Sequence, residues 1–246
     1  MKAAPADQQH LLDVAGLDTR LVQLQHKSRT LPGRAQLAEV QTKLPVAADA
    51  AALLGAQLAD LEREIARIEA EIEQVRNRVT KDRDLLVSGN VTAQVLENLQ
   101  HELETLARRQ SELEEGELEV LEQAETLGSQ RAAALAIEAE LIAERDQIQQ
   151  QIDTAVAEID ADKSEVAVQR AALVAGLPVD LVALYDKISA DIGAAGAAKL
   201  QHRRCQGCQM ELVPTEINRL RDAAEDEVLR CEECRRILVR TAESGL

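Results

Sequence analysis

The chain has 246 residues and a net charge of −16, and Tyr185 is its only Phe, Tyr or Trp. Without large rings a thick globular core is hard to fill, whereas the Ala, Leu, Glu, Gln and Arg that dominate favour long helices packed along a seam. From Lys199 onward nine Lys or Arg balance nine Asp or Glu, so the first 198 residues carry 19 basic and 35 acidic groups. Such a surface repels nucleic acid and anionic membranes along most of its length. No run approaches the roughly 20 apolar residues of a spanning helix, and the polar start does not read as a leader. A cytoplasmic location without a membrane partner is expected.

Heptad spacing begins early. Val14, Leu17, Leu21, Leu24, Ser28 and Leu31 alternate steps of three and four, and Leu54, Leu58, Leu61, Ile65, Ile68, Ile72, Val75 and Val79 do so without interruption. Each series places an apolar stripe on one side of a helix and so requires a partner. A third run steps by seven from Leu99 through Leu106, Leu113, Val120, Leu127, Ala134, Leu141 and Ile148 to Ala155, with a companion from Leu96 to Leu173. The companion turns polar in its middle, while Leu118, Leu135, Ile137 and Ile142 fall outside the seam, so irregular packing is expected there.

Between the second and third runs lie Ser88-Gly89-Asn90-Val91-Thr92. Gly89 suits the left-handed end of a helix, and Asn90 or Thr92 can cap the next one. The expected fold is therefore mainly α: a long antiparallel coiled-coil hairpin over residues 1–175, its tip near 88–92, with facing residue numbers summing to about 180. Its second arm, 81 residues from Ala93 to Leu173, would be about 120 Å long as one helix. Pro32 and Pro45 are expected to break or kink the first arm. Gly176-Leu177-Pro178 ends the second. Residues 176–198 then read as a short helix, with Leu181, Leu184, Tyr185 and Ile188 on one face, and a flexible linker or turn at Gly193-Ala194-Ala195-Gly196.

Residues 199–246 read as a small β-rich ribbon. All four cysteines fall in two Cys-x-x-Cys pairs, Cys205 with Cys208 and Cys231 with Cys234, separated by 22 residues. Two thiolates two residues apart grip one ion from a tight turn, and two such turns complete the tetrahedron that zinc prefers. One structural Zn2+ on these four cysteines is expected; iron in its place fits the same ligands, and His202 is read as a surface residue. Short strands are expected at Met210–Val213, at Val228 and Leu229, and at Ile237–Val239, with a short helix opened by Pro214. Metal binding should supply much of the folding energy of so small a module.

These features resemble a bacterial family with an N-terminal coiled-coil hairpin and a C-terminal C4-type zinc ribbon. The resemblance is carried by Arg29-Thr30-Leu31-Pro32, the Ser88–Thr92 tip, Leu177-Pro178 followed by Leu184-Tyr185, and Arg230-Cys231-Glu232-Glu233-Cys234-Arg235-Arg236-Ile237-Leu238-Val239. Arg235 stands where that family usually has glycine. The resemblance implies adaptors or regulators that work through protein partners or RNA.

No phosphate-cradling glycine loop or catalytic constellation is evident, so the chain is not expected to be an enzyme. The first functional expectation is a zinc-binding adaptor or scaffold for protein partners, monomeric or homodimeric. The second is an RNA- or DNA-binding regulator using Arg203, Arg204, Arg219, Arg221, Arg230, Arg235, Arg236 and Arg240. The ribbon offers that role no net positive charge and no aromatic ring for stacking on bases.

Overall fold

The computed structural model describes residues 1–89 and 92–246. Its elements are α1 (Pro5–Arg29), α2 (Pro32–Val87), α3 (Ala93–Ala175), α4 (Val179–Ile192), β1 (Ala197–Gln201), β2 (Arg204–Cys205), α5 (Pro214–Asp222) and β3 (Ile237–Val239). The fold is mainly α, a long coiled-coil hairpin with a small C-terminal ribbon. Contacts divide the chain into two compact units, Ala35–Gln149 and a second one joining Met1–Arg34 to Gln150–Leu246.

In the unit Ala35–Gln149, α2 and α3 pair antiparallel through the predicted seam. Ile68, Ile72 and Leu113 are buried together, with Val75 and Val120 packed on them. Arg78 meets Glu102 at 2.8 Å and Arg109 meets Glu71 at 3.1 Å, so facing residue numbers there sum to 180 as expected. Farther from the tip Arg131 lies against Gly55, several residues beyond that register. Asp82 occupies a seam position near the tip and is 1% exposed. Its Oδ2 lies 3.2 Å from Arg78 Nε but outside hydrogen-bonding geometry. A charged group in an apolar seam restricts the register in which the helices can pair. Gly89 takes the expected left-handed conformation, with φ at +68°. Thr92 Oγ1 accepts from the amide of Val95 at 3.4 Å, capping α3; Asn90 lies outside the described residues. Leu118, Leu135, Ile137 and Ile142 are exposed, as their place off the seam implies.

The expectation of two proline interruptions needs correction. Pro32 opens α2, and only Thr30 and Leu31 separate that helix from α1. The residue before a proline avoids helical backbone, which accounts for the break there. Pro45 lies inside a continuous α2. The segment Pro5–Val87 also holds one 18-residue window with mean hydropathy 1.3 and at most two charged residues, 6% of it buried. By length and composition alone that window suffices for a membrane span, which the sequence reading did not anticipate. Helices of soluble folds share the property.

In the other unit, α1 does more than form a coiled-coil arm. Its Leu11, Val14 and Ala15 share one core with Leu177, with Leu181, Tyr185 and Ile188 of α4, and with Ala197, Ile237 and Val239 of the sheet. The chain start continues this docking: Ala3 donates its amide to the Asp226 carbonyl at 2.8 Å, and Val228 donates to the Met1 carbonyl at 3.0 Å. A polar knot closes the side. Arg170 Nε donates to Asp18 Oδ1 at 2.6 Å, Arg170 Nη2 to Asp186 at 2.7 Å, and the Tyr185 hydroxyl to Asp18 Oδ2 at 2.7 Å.

The sheet has the order β2-β1-β3, with β1 antiparallel to β2 and parallel to β3. Its central strand comes from the alanine-rich stretch read as the end of a linker, because small Ala197 and Ala198 fit between the two packed layers. Of the three predicted strands, Ile237–Val239 forms. Met210–Val213 contributes only an isolated bridge, Glu211 with Arg204, and Leu229 only accepts from the Leu238 amide. The turn Gly193–Gly196 is packed: Ser189 Oγ donates to the Ala194 carbonyl at 2.7 Å, and a Cβ on Gly196 would lie 2.4 Å from the Tyr185 carbonyl oxygen.

Candidate metal centre

Each Cys-x-x-Cys pair is built the same way. The Cys205 carbonyl accepts from the amide of Gln209 at 2.8 Å, and the Cys205 amide donates to the Met210 carbonyl at 3.0 Å. In the second turn the Cys231 carbonyl accepts from Arg235 and the Cys231 amide donates to Arg236, both at 3.0 Å. The residue after the last cysteine is left-handed in both, φ being +64° at Gln209 and +61° at Arg235. That conformation costs an L-residue about 1–2 kcal/mol and suits glycine. Arg235 therefore holds, at some strain, a conformation that suits glycine.

The two turns bring all four sulfurs together. They lie within 4.8 Å of one another, with Cys205 to Cys234 at 3.8 Å and Cys208 to Cys231 at 3.9 Å. A tetrahedron with zinc–sulfur bonds of about 2.3 Å has edges of about 3.8 Å. A disulfide would need about 2.0 Å, and all four cysteines are free thiols. The donor set fits one zinc ion, with every coordination position filled by protein. His202 is exposed in a two-residue turn with Arg203, φ at +46° and +61°, and is outside the sulfur cluster.

Burial pushes the Cys205 thiol up to about 11, opposed by the amides of Cys208 and Gly207. Burial also raises Cys231, opposed by the amides of Cys234 and Glu233. At Cys234 burial acts in the same direction, but hydrogen bonds from the Arg236 amide and guanidinium and from its neighbouring thiols bring it below its ordinary value. Arg236 is thus the cation beside a cluster that, with zinc bound, carries two net negative charges. Its Nε also donates to the Ala195 carbonyl at 3.0 Å, and its Cδ lies 2.6 Å from where a Cβ on Gly207 would sit. Glu216, buried in the first turn of α5, accepts from the Glu232 amide at 3.2 Å. Sequence reasoning missed Glu216, since a lone glutamate after Pro214 and Thr215 reads only as a helix start.

Of the eight arginines offered as contacts, Arg203, Arg204, Arg219, Arg221, Arg230 and Arg235 are exposed, and Arg236 and Arg240 are half-buried. Arg203, Arg219, Arg230, Arg236 and Arg240 each donate to a backbone carbonyl of this same unit. Arg219 also lies 3.4 Å from Glu232, and Arg221 donates to Asn218 at 3.2 Å. Arg204 and Arg235 are exposed. Arg240 is the most engaged: Nη1 donates to Leu220 and Ala223 at 3.0 and 2.9 Å, and Nη2 to Ala224 and Glu225 at 2.5 and 3.1 Å.

Comparison with known proteins agrees with this geometry. Residues 14–193 match the CT398-like coiled coil hairpin domain, and residues 204–238, which include all four cysteines, match the C4-type zinc ribbon domain. An uncharacterized protein of Mycobacterium tuberculosis is 42% identical over 240 residues, 98% of each chain. A solved structure from Mycobacterium smegmatis is 40% identical, with a TM-score of 0.86 over 98% of this chain and 100% of that one. CT398 from Chlamydia trachomatis shares the fold at 17% identity, with a TM-score of 0.65 over 96% of this chain and 98% of its own. With its hairpin and a ribbon that holds one structural zinc, the chain belongs to the family of CT398-like coiled-coil hairpin proteins that end in a C4-type zinc ribbon.

Proposed function

We propose that the protein is a non-enzymatic adaptor or scaffold of the cytoplasm, acting as a monomer or homodimer and presenting its helices and ribbon to protein partners. The observation that carries this reading is the set of large apolar side chains left exposed on the long helices, among them Val46, Leu53, Leu118, Leu135 and Ile137. Apolar side chains grouped on a surface mark interaction sites. Four thiolate ligands leave zinc no position for a reacting water, which suits a structural role. Against the nucleic-acid alternative, five of the eight ribbon arginines hold carbonyls of their own unit.

Crosslinked pull-down from native cells, with and without nuclease, tests the reading on wild type and Cys231→Ser. Protein partners that survive nuclease and are lost with the ribbon are expected. Recovery of RNA or DNA, with proteins lost on nuclease treatment, would reverse it in favour of a nucleic-acid regulator.

A further inference from the structure

Beside its intramolecular seam, α3 carries a second heptad series. Leu118, Leu121, Glu125, Gly128, Ala132, Leu135, Ala139 and Ile142 alternate steps of three and four. The series runs one residue out of phase with the buried seam, which places it about 100° around the helix. No partner covers it among the described residues: Leu118 is 62% exposed, Leu121 41%, Leu135 44% and Ile142 37%. A Cβ on Gly128 would meet nothing within 4 Å, so the middle of the stripe leaves room for close approach. The whole series lies within the unit Ala35–Gln149.

The flanking charge is one-sided. Between Arg109 and Arg131 the helix has no basic residue, while Glu112, Glu114, Glu115, Glu117, Glu119, Glu122 and Glu125 follow one another. Glu114 pairs with Arg76 at 2.9 Å and Glu112 lies 3.9 Å from Arg109. The other five have no cation within ion-pairing distance among the described residues. Glu125 stands within the apolar series itself, where a charged residue selects partner and register.

We propose that this stripe docks a basic amphipathic helix of a partner protein, spanning about 36 Å or seven turns. The proposal rests on the adaptor reading and names the partner surface within it. Charge decides the occupant. A second copy laid parallel would set Glu112–Glu125 against itself. Laid antiparallel about the centre of the stripe, it would set that acidic run against Glu138, Glu140, Glu144 and Asp146, relieved only by Arg145. Nucleic acid and anionic lipid meet the same repulsion. A helix with leucine at its heptad core and Lys or Arg at the flanks satisfies both the apolar stripe and its glutamates.

The test uses the full zinc-loaded chain and a fluorescein-labelled synthetic helix of that pattern, read by anisotropy near physiological salt. Leu121→Ser/Leu135→Ser, which leaves the charge unchanged, is expected to weaken binding about tenfold or more. Glu119→Gln/Glu122→Gln/Glu125→Gln is expected to do the same and to flatten the salt dependence. A sister peptide with Glu at the flanks should not bind. Equal binding by wild type and the leucine variant would overturn the proposal, since attraction would then be by charge alone. So would a wild-type dimer in sedimentation that the leucine variant abolishes, because a second copy would be the occupant. Nuclease-resistant partners captured through the ribbon, together with a silent stripe, would leave the adaptor reading standing and remove this surface from it. Unchanged far-ultraviolet dichroism in both variants excludes misfolding as the cause of lost binding.

Discussion

Arg240 offers a test of how the ribbon is held that does not involve the metal. Its two η nitrogens reach four carbonyls at and beyond the end of α5, where a helix leaves acceptors unsatisfied and a cation is favoured. A hydrogen bond from a charged donor contributes about 1.5–3 kcal/mol when the acceptor is protected, less where water can replace it. Arg240 and Ala223 are half-buried while Ala224 and Glu225 are exposed, so the lower end applies to each nitrogen. Arg240→Ala should then cost about 3 kcal/mol, roughly a hundredfold rise in the open population. Arg240→Lys keeps the charge but cannot span four carbonyls, and should recover about 1 kcal/mol. Hydrogen exchange in zinc-loaded protein reads this at the amides of Ile237 and Leu238, which donate to Gly196 and Leu229 at 2.9 Å. Exchange within about threefold of wild type in Arg240→Ala would refute the reasoning, because the carbonyls would then be served equally well by water.

Chelating the zinc should unfold the ribbon and, through the core that β3 shares with α1 and α4, expose amides in those helices while most helical dichroism persists; loss of most helicity would contradict separate units. Because burial raises the Cys205 thiol to about 11, zinc must displace a tightly held proton, so chelator competition should show affinity rising steadily from about pH 6 to about pH 8. Tyr185 is raised by burial and by its bond to Asp18, so its stabilisation is complete below the unfolded value of about pH 10 and is lost as pH rises through the folded one. As the only phenol in the chain, it can be followed directly by phenolate absorbance, and free titration at about pH 10 without unfolding would be the contrary result. Arg235→Gly should stabilise the ribbon by about 1 kcal/mol, read as a higher denaturation midpoint, relief of the left-handed strain being partly offset by the freer unfolded chain. Gly196→Ala should destabilise by about 1–3 kcal/mol, since its Cβ would meet the Tyr185 carbonyl oxygen at 2.4 Å; an unchanged melting curve would show that the turn yields.

The periodic parts of this fold were readable because heptads and paired cysteines are local patterns. Ile68, Ile72 and Leu113 are buried where the seam puts them, and the sulfurs of Cys205, Cys208, Cys231 and Cys234 converge as their spacing implies. Long-range docking left weaker traces. Leu11 and Val14 look like any coiled-coil positions, and nothing local shows that they meet Ile237 and Val239. Ala197 and Ala198 lack strand propensity and become the centre of a sheet only through β3. For the arginines near the cysteines, sequence shows the charge and hides the carbonyls that five of them hold. Pro45 was given too much weight as a breaker, since packing along a long helix can tolerate a lost amide bond that an isolated helix cannot.

The bond between Ala3 and Asp226 sets an order of events during synthesis. At about 5–20 residues per second, the segment that receives the chain start emerges roughly ten to fifty seconds after it. Throughout that interval the apolar face of α1 has no ribbon to lie on. Early-made helix must stay soluble with Leu11 and Val14 uncovered, and α1, with three Asp against three Lys or Arg, carries no net charge to keep nascent chains apart. Premature pairing with a wrong helix is then a hazard on the way to the native state.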